Sequence, residues 1–128
     1  MVVEERPVVI GVDGSTGNAG ALHYGLAEAR RLETPVHLVH VVPDYVPMTP
    51  MLRMPREELT QTGVTTLEKA EADVKRSDPD VEIFGILRRG ARADQLAKAA
   101  EGATVLVVGR AERSLTERLT RRNTSIGV

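Results

Sequence analysis

The stretch Pro7-Val8-Val9-Ile10-Gly11-Val12-Asp13-Gly14-Ser15 decides the fold. Its first six residues form a short, β-branched, almost unbroken apolar run. Such a run predicts a strand buried on both faces, because a half-exposed strand would alternate apolar and polar residues. Asp13-Gly14-Ser15 ends it with turn residues. Ser15 or Thr16 is placed to cap a following helix, whose apolar positions Ala21, Leu22, Gly25, Leu26 and Ala29 recur at helical spacing. Arg30 and Arg31 fall in its last turn, where cations suit the helix dipole.

The same alternation continues along the chain. Pro35 restarts an extended run, Val36-His37-Leu38-Val39-His40-Val41-Val42, read as a second strand. Pro43 to Pro55 holds four prolines and three methionines, a density that no helix or central strand survives, so a long loop is expected. From Arg56 to Arg76 a helical stripe returns in Leu59, Gly63, Thr66, Leu67, Ala70 and Val74, and Ser77-Asp78-Pro79-Asp80 breaks it. Val81 to Leu87 reads as a third strand, Gly90 as a turn, Ala91 to Glu101 as a short helix and Ala103 to Val108 as a fourth strand. No two strands are joined by a hairpin turn. Strand–helix–strand order of this kind implies right-handed crossovers and an α/β fold with an open parallel sheet covered by helices.

Composition narrows the function classes. At 128 residues the chain predicts one domain. Seventeen basic and 18 acidic residues leave a net charge of −1, so no global basic field exists to hold nucleic acid or an anionic membrane. The chain has no cysteine, which excludes disulfides and thiolate chemistry. It has only two tyrosines and one phenylalanine, too few for a base-stacking platform. No apolar run approaches the ~20 residues of a membrane span, and Met1 to Arg6 shows no secretory core. We expect a cytoplasmic protein with neither nucleic acid nor membrane as a partner.

In an open parallel sheet, ligands bind beyond the carboxyl ends of the strands, where strand order reverses. Asp13 lies just past strand one. It reads either as a turn-and-cap residue or as an acceptor for a ribose hydroxyl or an adenine amino group. Gly14, Gly17 and Gly20 match neither the dinucleotide fingerprint nor the Walker phosphate loop. Gly17 and Gly20 are instead expected to allow close helix–sheet packing. His37 and His40 are three apart on a strand and so face opposite ways, and with His23 they make no metal site by spacing. Ser15 has no G-x-S-x-G elbow, so acyl transfer lacks support. A receiver-type phosphoacceptor is excluded because strand three ends Leu87-Arg88-Arg89-Gly90, without the aspartate that chemistry needs.

The ordered set V-V-I-G-V-D-G-S, V-H-L-V-H-V-V and A-T-V-L-V-V-G-R, from Pro7 to about Gly109, resembles the universal stress protein domain. The resemblance implies an adenine-nucleotide alpha-hydrolase-like sheet of order 3-2-1-4-5, usually in a homodimer. The chain stops where the family continues with a helix and a last strand, so order 3-2-1-4 is expected here, with 110–128 incomplete or mobile. Many members bind ATP. By position, Asp13 matches the acidic residue near adenosine, Val41 the residue whose backbone meets adenine, and Gly11 and Val12 flank that pocket. The family's phosphate motif is G-x-x-G, nine residues, then G-[ST]. Gly109 matches its first glycine, but Glu112, Arg122 and Asn123 occupy the other three positions. Glycines there let backbone N–H groups approach phosphate. Glu112 adds a Cβ and a negative charge instead.

The expected function is a non-enzymatic stress-response domain with no tightly bound cofactor and weak or lost ATP binding. The alternative is an ATP-binding stress sensor with little or no hydrolysis. An adenylate-forming enzyme is a third reading, but Asp13-Gly14-Ser15-Thr16-Gly17 lacks an S-G-G pyrophosphate loop.

Overall fold

The computed structural model describes residues 6–15, 18–44, 46–49 and 51–109. The elements run β1 (Val8–Gly11), α1 (Asn18–Leu32), β2 (Val36–Val42), α2 (Arg56–Ser77), β3 (Ile83–Arg89), α3 (Arg92–Ala99) and β4 (Val105–Val108). The four strands form one sheet of order β3-β2-β1-β4. Every pairing is parallel, with Val8 opposite Val36 and Val105, and Val36 opposite Ile83. The expected order 3-2-1-4 is therefore the observed one.

β1 is central and buried throughout, which is what its unbroken apolar run requires. Its residues alternate between two cores. Val8, Ile10 and Val12 pack with Val36, Leu38 and Val107 beneath α1 (Ala21, Leu26, Ala29) and α2 (Leu67, Ala70, Val74). Val9 and Val39 face the other way, onto Leu96 of α3. The helices thus cover both faces of the sheet, as crossover connections demand.

Strand and helix limits differ from the sequence reading in ways that have local causes. β3 starts at Ile83 rather than Val81, since the Val81 N–H turns back to the Asp78 carbonyl at 3.1 Å. It runs on through Arg88 and Arg89, which pair with Val41 and Val42. β4 starts at Val105 rather than Ala103, whose N–H bonds the Ala100 carbonyl at 2.9 Å. α3 is confined to Arg92–Ala99. The proline-rich loop closes on itself through an antiparallel bridge between Pro47 and Arg53, with Met54 N–H on the Val46 carbonyl at 2.8 Å.

Gly20 does not take the close-packing role expected of it. Gly20 is exposed on α1, and Gly17 lies outside the described residues. Gly25 and Gly63 take that role. A Cβ on Gly25 would fall 2.6 Å from Cγ1 of Ile10, and one on Gly63 would fall 2.5 Å from Cγ2 of Val42.

Candidate functional site

Strand order reverses at β1. The chain adds β2 and β3 on one side and then crosses to place β4 on the other. The crevice beyond the carboxyl ends of β1 and β4 is the ligand position that this topology favours. Register places Gly11 beside Val39 on one side and Val108 on the other, so Val12, Asp13 and Gly109 lie at this end of the sheet.

Asp13 is exposed at the turn after β1. Its Oδ1 accepts the Ser15 backbone N–H at 2.9 Å, and its own N–H is taken by Asn18 Oδ1 at 3.1 Å. Gly14 allows this turn because its φ is +82°, a region that side chains rarely adopt. Partial burial works against the Asp13 charge. Hydrogen bonds from the Ser15 side chain and backbone, then the charges of Arg92 and His40, outweigh it and hold the carboxyl below the ordinary carboxylate range. Asp13 is therefore an anion at neutral pH, an acceptor and not a proton donor. Its Oδ2 lies 3.8 Å from Nη2 of Arg92. That is close enough for attraction and too long for a hydrogen bond.

His40 pins the end of β1. Its Nδ1 donates to the Val12 carbonyl at 2.7 Å, a role open only to the protonated nitrogen because a carbonyl only accepts. His37 lies on the opposite sheet face, as expected, with its ring edge against Phe84 at a centroid distance of 5.6 Å. Burial pushes the His37 imidazole below its ordinary value.

The other candidate residues separate into two groups. Val41 is half-buried on the α3 side. Val39 gives its carbonyl to Val12 N–H at 2.8 Å, so Val41, two residues on, turns its backbone groups to the same side, where β1 has ended. Val12 and Gly11 support the site from below. Val12 is buried in the α1–α2 core. Gly11 is buried too, and a Cβ on it would press at 3.2 Å on both Leu96 and Val108, so its place is under α3. Glu112, Arg122 and Asn123 lie outside the described residues, as does the whole segment 110–128.

Three arginines surround this end of the sheet. Arg88 donates Nε to Gln95 Oε1 at 2.8 Å. Arg89 bonds the Thr60 hydroxyl, and its Nη1 reaches the Pro43 carbonyl at 3.4 Å. Arg92 faces Asp13. The sequence reading missed Arg92 and His40 as parts of the site. Arg92 did carry a signal, since a cation in the first turn of a helix opposes the dipole. His40 carried none, because its acceptor is backbone 28 residues away.

The chain matches the model of the universal stress protein family over residues 5–128. It belongs to that family. A universal stress protein family structure from Burkholderia pseudomallei shares 26% identity, covering 92% of this chain and 90% of its own, at a TM-score of 0.69. A universal stress protein from Archaeoglobus fulgidus shares 24%, covering 82% of this chain and 76% of its own, at a TM-score of 0.61. A universal stress protein in complex with cAMP shares 16%, covering 97% and 88%, at a TM-score of 0.58. The last two are likenesses of fold. No match was found among curated proteins. The general role of the family is in stress response, and no helix among the described residues is long and apolar enough to cross a membrane.

A cavity of about 470 Å³ lies at the opposite, amino end of the strands. Glu33, Thr34, Asp78, Asp80 and Glu82 are among its lining residues, and an Arg30–Asp78 ion pair spans its wall. It is remote from Asp13, so this cavity and the topological ligand position do not coincide.

Proposed function

We propose that this universal stress protein domain is a non-enzymatic stress-response module that binds an adenine nucleoside or nucleotide weakly at the carboxyl end of its sheet. The observation that carries the reading is Asp13. It is exposed at the strand-order reversal, ionised, fixed by Ser15 through Oδ1, and left with acceptor capacity on Oδ2. A ribose hydroxyl is a donor suited to that oxygen, and Val41 turns backbone polar groups toward the same end. The cAMP complex of a protein of the same fold supports a nucleotide as the ligand class. The family's phosphate motif supports weak ATP binding: Glu112, Arg122 and Asn123 stand where it has glycine, glycine and a hydroxyl residue, and Glu112 would add a negative charge there. Homodimerisation and a cytoplasmic location complete the proposal.

Calorimetric titration with adenosine and with Mg-ATP tests it. Adenosine binding that Asp13→Asn weakens is the expected result. A micromolar or tighter dissociation constant for Mg-ATP contradicts the weak grip, and adenosine binding unaffected at Asp13→Asn contradicts the site.

A further inference from the structure

We infer that Arg92 is the phosphate-recognising residue of this site. It selects nucleotides whose phosphate lies directly beside the ribose, such as a nucleoside monophosphate or a cyclic nucleotide. The inference rests on the adenine-nucleotide reading above.

Arg92 is the first residue of α3. A cation there is opposed by the helix dipole, so helix stability does not account for it. Its partner does not fully account for it either. Nη2 is 3.8 Å from Asp13 Oδ2, and the side chain is 48% exposed. An exposed pair at that separation contributes little to folding. Arg88 and Arg89 are each engaged by neutral acceptors, Gln95 in one case and Thr60 with the Pro43 carbonyl in the other. Arg92 is instead held next to Asp13, the carboxylate at the ligand position.

That arrangement suits a bipolar ligand. With a ribose hydroxyl donating to Asp13 Oδ2, the guanidinium lies beside the ribose, within reach of a phosphate attached to the same sugar. A guanidinium offers two parallel N–H donors to two phosphate oxygens, which an ammonium cannot match. Arg92 would then exchange a long contact with Asp13 for a short one with phosphate, while the hydroxyl takes its place on the carboxylate. Phosphates further along the chain gain nothing from Arg92. The recognition therefore stops at the phosphate nearest the sugar.

The experiment is calorimetric titration of adenosine, AMP, cAMP and ATP into the wild-type chain, Arg92→Ala and Arg92→Lys, at low and at moderate salt. AMP, cAMP or both should bind the wild type about tenfold more tightly than adenosine, as a charge-assisted contact would give. ATP should bind no more tightly than AMP. Arg92→Ala should bring the ratio of nucleotide to adenosine affinity to about one, Arg92→Lys should restore part of it, and salt should lower it in the wild type and in Arg92→Lys but not in Arg92→Ala. The AMP and cAMP arms distinguish a free from a cyclised phosphate. Equal wild-type affinity for adenosine and both nucleotides overturns the inference without any variant. So does an Arg92→Ala ratio equal to wild type, or tighter binding of every ligand by Arg92→Ala, which would make Arg92 a competitor for Asp13. In those cases adenosine binding at Asp13 stands. If no adenosine compound binds, both readings fall.

Discussion

Two glycines of one helix should respond in opposite directions to the same substitution. Gly25 and Gly20 both lie in α1, but Gly25 is buried and Gly20 is exposed. Replacing glycine by alanine in a helix interior gains about 1 kcal/mol of propensity. Gly20 is exposed, so Gly20→Ala should keep most of that gain and stabilise by about 0.5–1 kcal/mol. At Gly25 the new methyl would lie 2.6 Å from Cγ1 of Ile10, against an ordinary carbon–carbon separation of about 3.5–4.0 Å. Ile10 is fully buried at the sheet centre and cannot turn away without meeting other side chains. Overpacking of this kind costs about 1–3 kcal/mol, so after the propensity gain Gly25→Ala should destabilise by about 1 kcal/mol, and by about 2 at most. The gap between the variants is then roughly 2 kcal/mol, or about 1 M in urea midpoint at an m-value near 2 kcal/mol/M. Urea unfolding at constant m measures it. Coincident midpoints, or a Gly25→Ala midpoint at or above wild type, would refute the close seating of α1 on Ile10.

Other expectations concern pH, assembly and the residues at the family's phosphate motif. Burial lowers the folded His37 value, so the unfolded chain binds the proton more readily and stability rises with pH. The penalty is absent above about pH 6.5 and grows below it, and His37→Gln should flatten the difference between urea midpoints at pH 7.5 and 5.5; an unchanged slope assigns the effect elsewhere. Asp13, with a lowered folded value, contributes stability that is complete above the unfolded carboxylate value of about 3.9 and is lost as pH falls through the folded one, so Asp13→Asn should reduce the acid sensitivity of unfolding below that value. Among the described residues β4 pairs only with β1, and Val105–Val108 carries no charge or proline to block a further strand. Light scattering after size exclusion should find a dimer, and a stable monomer with this edge open to solvent would contradict that. Glu112→Gly should tighten Mg-ATP binding in calorimetry, and no change would contradict the role proposed for Glu112 in weakening it.

The architecture was legible because its signals are local. Val8 to Ile10 announce a central strand by being apolar without alternation, and Leu59, Gly63, Leu67, Ala70 and Val74 mark one face of α2, every one of them buried. Crossover handedness and strand count then leave few topologies. Features that depend on distant partners were not legible. Gly25 lies on the apolar stripe of α1 in the sequence, but its close approach to Ile10 comes only from how α1 seats on the sheet. Arg88 and Arg89 read as the end of a strand, but pairing with Val41 and Val42 carries β3 through them. The bridge between Pro47 and Arg53 is invisible behind four prolines. At the site, Asp13 was legible from its position after β1. Arg92 carried only the signal of a cation in a first helical turn, and its place beside Asp13, 79 residues away in sequence, comes from the β3–α3 connection.

Amide chemical-shift mapping with adenosine or AMP tests the central claim most directly. If the carboxyl end of the sheet is the nucleotide site, shifts should concentrate at Val12 to Ser15, Val41 and Val42, Val108 and Gly109, and Arg92. Shifts centred instead on Glu33, Thr34 and Asp78 to Glu82, around the cavity at the amino end, would contradict it, as would a spectrum that neither compound moves.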